Sequence, residues 1–415
     1  MFQLLLDIKN RNFQRLWIAQ VISQFGDRVH QFALVGFIAE RAPGSALALS
    51  KLMACTIVPV FIIQPLAGVI VDRFDRRTVL FICDTIRGFL VLVIAFFVIP
   101  QESMTLMYAI VFLIFCFPRF YVPAKMSILP DLVAKTQLLQ ANSLITTTGM
   151  VAAGLGFAFG AWLVEYYGVR TGFIIDAGTF FLSALFVFHI QLPWRIRLER
   201  QKIKGWMVAI KEHERNMWQQ AKEGMVYIRD HKEIRLILNM LFTLCSALGA
   251  IYIVIIVYIQ QTFGSVTRDL GILAVSLVVG LLAGVVVYGK IGRQMHWRNV
   301  IFSCLFASGL MLVAFTLLVR EFPNLWLAIA LAFGWGVTIG PVLVTANTMA
   351  QSLSIKEMRG QVYSAMEIVI HLGFILTMII SSWLSEFIDR MWILVAVGVI
   401  VGAMGLAGLF GKRKT

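Results

Sequence analysis

The chain has 415 residues, 59% of them apolar and 14% charged, with a mean hydropathy of +0.83 and a net charge of +14. A water-soluble protein of this length needs a charged exterior that this composition does not supply, so the apolar surface requires lipid as its solvent. The basic excess could point to nucleic acid, but its placement along the chain argues against a nucleic-acid partner and for a membrane-topology signal.

The apolar residues fall in blocks of about twenty, the length that crosses a hydrocarbon core of about 30 Å as a helix. Backbone groups in lipid must be satisfied internally, and runs that do not alternate are helices rather than barrel strands. In chain order the predicted spans are Phe13–Ile38, Leu47–Val71, Thr78–Ile99, Met104–Pro123, Ala141–Val164, Gly168–Ile190, Ile234–Gln260, Leu270–Gly289, Val300–Leu318, Leu325–Thr345, Val362–Leu384 and Met391–Gly411. Met1 to Arg15, with Lys9, Arg11 and Arg15, leads directly into a span longer than a signal-peptide apolar region, so no cleavable signal is expected.

One long polar stretch, Gln191 to Lys232, divides the spans. Within it Ile203, Trp206, Ile210, Met217, Ala221 and Ile228 recur at near-helical spacing, as in an amphipathic helix on a membrane face with Trp206 and Trp218 at headgroup level. The expected fold class is an all-α membrane protein of twelve transmembrane helices in two six-helix bundles. Residues 1–194 form the first bundle, 195–232 a cytoplasmic linker and 233–415 the second bundle. With the N-terminus taken as cytoplasmic, 27 of the 36 Lys and Arg lie on the cytoplasmic side and six on the other, while Arg28, Arg87 and Arg119 lie within spans. This asymmetry places both termini in the cytoplasm of a multi-pass protein of a bacterial inner membrane, surrounded by lipid. Cys55, Cys83, Cys116, Cys245 and Cys304 all fall in apolar blocks, without disulfide or metal-ligand spacing, and read as small buried apolar residues.

The loop after span 2 runs from Gly68 to Asp72, Arg73, Asp75, Arg76 and Arg77, and the loop after span 8 from Gly284 to Lys290, Gly292 and Arg293. Both place a glycine about one helical turn before a tight basic loop at the same point of each half, as an internal duplication requires. At these residues the chain resembles the major facilitator superfamily over nearly its whole length. Gly68 to Arg77 resembles that superfamily's signature between helices 2 and 3, with Asp75 where the common pattern has glycine. The Asp-rich variant is similar to the branch holding macrolide efflux proteins, the enterobactin exporter and lysophospholipid transporters. Gln24 to Asp27, Pro123 to Lys125, Ile128 to Pro130, Ala141 to Leu144 and Arg359 to Val362 fit the same branch.

The resemblance implies alternating access by two six-helix bundles around a central site lined by spans 1, 4, 7 and 10. It also implies that Gly68, Asp72, Arg73, Asp75, Arg76 and Arg77 form a gating loop. Asp72 at the N-terminus of span 11, near Gln361, would latch one state; the alternative is a plain basic anchor.

A charge at mid-bilayer costs roughly 2.5–3.5 kcal/mol on insertion scales, so each embedded ionisable group needs a partner or a use. Asp27 and Arg28 are adjacent in span 1 and point to different faces, which makes them candidates for a substrate or ion site or for a buried structural pair. Arg119 in span 4 is a partner for Asp27 or an anchor for an anion. Asp84 and Arg87, spaced i, i+3 on span 3, read as a structural or gating pair. Glu367 and His371, spaced i, i+4 on span 11, form either a proton-handling element or a polar contact between helices. Asp176 reads as structural. The Gly156–Gly160 face of span 5 suits close helix packing at the interface between the halves.

No zinc-binding His-Glu-x-x-His, serine elbow or glycine-rich phosphate loop is present, so no enzyme is expected. The expected function is secondary transport of a small amphipathic organic molecule, most readily efflux of drug-like or hydrophobic compounds. Lysophospholipid movement is the alternative, and a non-transporting receptor or channel is the competing class. No cofactor or metal is expected; an ion gradient, with protons as the expected ion, would drive a monomer.

Overall fold

The structure, a computed structural model, describes residues 10–63, 74–134, 137–191, 225–230, 232–291, 296–353 and 359–410, with the single positions 67, 71, 219 and 222. No strand occurs among them. The linker 195–232 of the sequence reading lies largely outside the described residues, as do Gly68, Asp72 and Arg73.

The helices of the first half are α1 (Arg11–Arg41), α2 (Ala46–Ile62), α3 (Arg76–Gln101), α4 (Met104–Leu132), α5 (138–167) and α6 (169–188). Those of the second are α7 (Lys232–Phe263), α8 (Arg268–Ile291), α9 (Trp297–Glu321), α10 (Leu325–Leu353), α11 (Arg359–Leu384) and α12 (Arg390–Phe410). Among the described residues, eight helical stretches are long and apolar enough to cross a bilayer. One of them, Gln140–Phe188, has 49 residues, enough for two crossings. Gly168, at φ +83°, divides it into α5 and α6 in a backbone conformation that side chains resist. Among the described residues α1 is long but less apolar, because Gln20, Gln24, Asp27, Arg28, His30 and Gln31 interrupt it.

The chain divides into two compact units, Met1–Arg41 with Lys51–Met217, and Ala42–Ser50 with Trp218–Thr415. In the first, α1 lies against both α5 and α6. A Cβ on Gly156 would come 2.7 Å from Arg28 Cβ, and one on Gly160 would come 3.0 Å from Val29 Cα. The Gly156–Gly160 face therefore serves α1 within its own unit, rather than the interface between halves that the sequence reading gave it. Bare backbone on α5 makes room for the larger side chains of α1. Phe13, Leu16, Leu80, Tyr121, Ile128 and Leu144 close one end of this unit as a buried cluster.

The second unit repeats the device. Gly280 and Gly284 of α8 face Gly336 and Gly340 of α10, where any added Cβ would run into the opposing backbone. On α9 and α12, Gly309 meets Gly398 and Gly402 in the same way. Two small-residue faces four residues apart let helices approach closely in lipid, where packing rather than the hydrophobic effect holds them.

Candidate functional site

The polar residues that interrupt α1 do not face lipid at random. Asp27 accepts a hydrogen bond from Arg87 of α3, Nη2 to Oδ1 at 2.6 Å. The arginine side chain is 7% exposed and the carboxylate 37% exposed. Phe180 of α6 covers the guanidinium, with Cζ 4.0 Å from the ring centroid, an arrangement in which a cation is held by the negative face of the ring. Arg87 is thus sequestered, and Asp27 is the accessible end of the pair.

Two further contacts surround it. Asp176 of α6, fully buried, is 2.8 Å from His30 Nδ1 of α1. Asp84, also fully buried, accepts from Ser183 Oγ of α6 at 2.6 Å. Toward the other end of α1, Lys125 Nζ donates to Gln20 Oε1 at 2.7 Å and Gln20 Nε2 donates to Tyr121 Oη at 3.1 Å. Tyr121 also faces Asp84 and Ser183. These groups connect four helices of the first unit through its interior. Buried hydrogen-bonded networks of this kind impose one arrangement on the helices that share them.

The structure therefore distributes the sequence candidates as follows. Asp27 takes Arg87 as its partner rather than Arg119, and Asp84 is held by Ser183 rather than by a direct ion pair with Arg87. The i, i+3 spacing allows the latter pair, but side chains on α1 and α6 reach both groups across the bundle. Arg28 points away from Asp27; it donates to Gln31 Oε1 at 2.9 Å and lies 5.2 Å from the centroid of Phe157. Arg119, half-buried on α4, has a buried Nε without a hydrogen-bond partner. Its charge faces that of Arg87. His371 lies on α11, while the side chain of Glu367 lies outside the described residues.

Of the loop residues, Asp75 caps the N-terminus of α3 by accepting from Thr78 N at 3.0 Å and Thr78 Oγ1 at 2.9 Å. This gives the aspartate at the signature's glycine position a local purpose, since a carboxylate there satisfies open helix donors. Arg76 reaches Asp131 Oδ2 at 2.7 Å and the carbonyl of Ser127 at 2.8 Å, and Arg77 donates to the carbonyl of Phe188. The basic doublet thereby ties α3 to the ends of α4 and α6.

Sequence reasoning missed His30, Gln20 and Ser183, and took Asp176 as structural without a partner. The available signal was the density of polar residues on one helix: seven from Gln20 to Gln31 in a predicted span.

The second unit offers a different environment. A small cavity of about 10 Å³, room for about one water-sized group, is lined by apolar side chains that include Leu244, Ile251, Leu312, Trp335 and Ile339, with Ser308 as a polar member. Trp335 Nε1 donates to Ser308 Oγ at 2.9 Å, so the indole is fixed beside it.

The chain matches the model of the Major Facilitator Superfamily over residues 16–376 and 238–415. It is 25% identical to the uncharacterized MFS-type transporter YfiS of Bacillus subtilis, over 97% of this chain and 94% of the relative. It is 21% identical to macrolide efflux protein A of Streptococcus pyogenes, over 94% and 93%, and 24% identical to the putative bacilysin exporter BacE of Bacillus subtilis, over 86% and 84%. Among solved structures, the nucleoside transporter NupG matches in fold with a TM-score of 0.73 at 12% identity, over 97% of this chain and all of that one.

Proposed function

Because the chain belongs to the major facilitator superfamily, and is thus a multi-pass membrane transporter, we propose that it exports small amphipathic organic compounds, driven by an inward gradient of protons. The observation that carries this reading is the Asp27–Arg87 pair: a carboxylate more than a third exposed, in a predicted span, tethered at 2.6 Å to a buried arginine. An intramembrane charge is retained at a cost, and one left accessible is available to a substrate or an ion. Two relatives whose names state a cargo are exporters, one of macrolides and one named as a putative exporter of bacilysin.

In this account the protein is a monomer in a bacterial cytoplasmic membrane with both termini inside, as the basic residues favour. The loop around Asp72 acts as a latch, and Arg28, Arg119, Glu367 and His371 are further candidates for contact with substrate or ion. The test is ethidium and erythromycin accumulation in cells stripped of their own efflux pumps. Expression of the wild-type chain lowers accumulation of at least one compound, and Asp27→Asn restores it. Accumulation unchanged for both, together with accelerated uptake of labelled lysophosphatidylethanolamine, would replace efflux by lysolipid transport.

A further inference from the structure

We propose that the buried pair His30–Asp176 is a proton-binding site of the transport cycle. The proposal rests on the reading of the chain as an ion-driven transporter and names the groups that take the ion. His30 is 3% exposed and Asp176 fully buried, with His30 Nδ1 and Asp176 Oδ2 at 2.8 Å. The second atom of each group, His30 Nε2 and Asp176 Oδ1, is also buried and has no hydrogen-bond partner. Aromatic rings enclose the imidazole: Phe173 stands edge-on at 5.2 Å and Phe115 lies at 6.1 Å. Gly26 covers the carboxylate so closely that a Cβ there would come 2.7 Å from Oδ1. A helix-to-helix hydrogen bond needs only one atom from each side. This pair buries two more protonatable atoms that no other side chain or backbone group engages, in a place where each unpaired polar atom is costly.

The surrounding charges explain how the proton is coupled. The charged groups facing the pair are Asp27 from its own helix and Arg87 from α3; α4 presents the ring of Phe115, and on α6 Thr179 uses its hydroxyl on the Asp176 carbonyl. Arg87 carries one permanent charge and faces Asp27, Asp84 and Asp176. It makes direct contact with Asp27 alone. While that contact holds, Asp176 depends on His30 and a proton for neutrality. When Asp27 turns to another partner, the charge of Arg87 becomes available to Asp176, and the proton can leave. One N–H or O–H bond is made with a proton from one side of the membrane and broken to release it on the other; no other bond changes.

The test is infrared difference spectroscopy on the purified full-length protein across a pH titration. The wild type gives a pH-dependent carboxyl band. The band is lost in Asp176→Asn, shifted in His30→Gln, restored in Asp176→Glu and displaced along the pH axis in Asp27→Asn. One and the same difference spectrum in wild type, Asp176→Asn and His30→Gln overturns the proposal and leaves the pair as a tie between α1 and α6. A band that follows these variants in a protein that does not move ethidium upholds the proton site and refutes the efflux reading alone.

Discussion

Asp27 and Arg87 stand 60 positions apart in the chain and meet at 2.6 Å between α1 and α3, the arginine buried and the aspartate open. The asymmetry sorts the two residues. Asp27 can leave the pair by moving toward its exposed side, whereas Arg87 is fixed under Phe180 and faces two other carboxylates.

Substitution of the arginine is therefore the more damaging. Arg87→Leu removes the direct partner of Asp27 and the permanent charge that Asp84 and Asp176 face, and lowers stability by at most about 3–5 kcal/mol, the cost of breaking a fully buried pair. Asp27→Asn keeps a hydrogen-bond acceptor and costs less. Thermal unfolding of both purified variants checks this; an Arg87→Leu protein as stable as Asp27→Asn would show that the cluster is not organised around the arginine.

At Gly160 α5 comes close to the backbone of α1, with Val29 Cα 3.0 Å from where a Cβ would stand. Gly160→Ala forces the helices apart and costs about 1–3 kcal/mol, as overpacking does, whereas the same change at Gly154, which has open space around it, is tolerated. Paired melting curves of the two variants read the difference.

Asp389, in the connection between α11 and α12, is held below the ordinary carboxylate range by the backbone N–H of Met391 and then by Arg320 at 2.8 Å. A carboxyl depressed in the folded state adds stability that is present above its unfolded value, about 3.9, and is lost as pH falls through the lower folded value. The gap in melting temperature between wild type and Asp389→Asn is thus open at neutral pH and closes in acid. Because the pair is half exposed, the gap is small. A gap that widened in acid would contradict the assignment.

What the sequence disclosed and what it concealed follow from the range of each signal. Span length and apolarity are local, so the helices α3, α4 and α7 to α12 lie close to the predicted spans. Asp27 was legible as a costly residue for the same reason. Its partner was not, because the i, i+3 spacing pairs Arg87 with its neighbour Asp84 on paper, while Ser183 claims Asp84 from 99 positions away. His30 escaped notice because nothing within a helical turn pairs with it; Asp176 lies 146 positions on. The Gly156–Gly160 face was recognised as a packing surface, but a spacing rule does not say which helix it meets.

The most direct test of the central claim is ethidium movement by purified protein reconstituted in liposomes, with a pH gradient imposed across the membrane. The account predicts transport that follows the gradient, collapses with a protonophore and falls to the level of protein-free liposomes in Asp27→Asn. Ethidium movement by the wild type that is no faster than in protein-free liposomes, or is indifferent to the pH gradient, would contradict it.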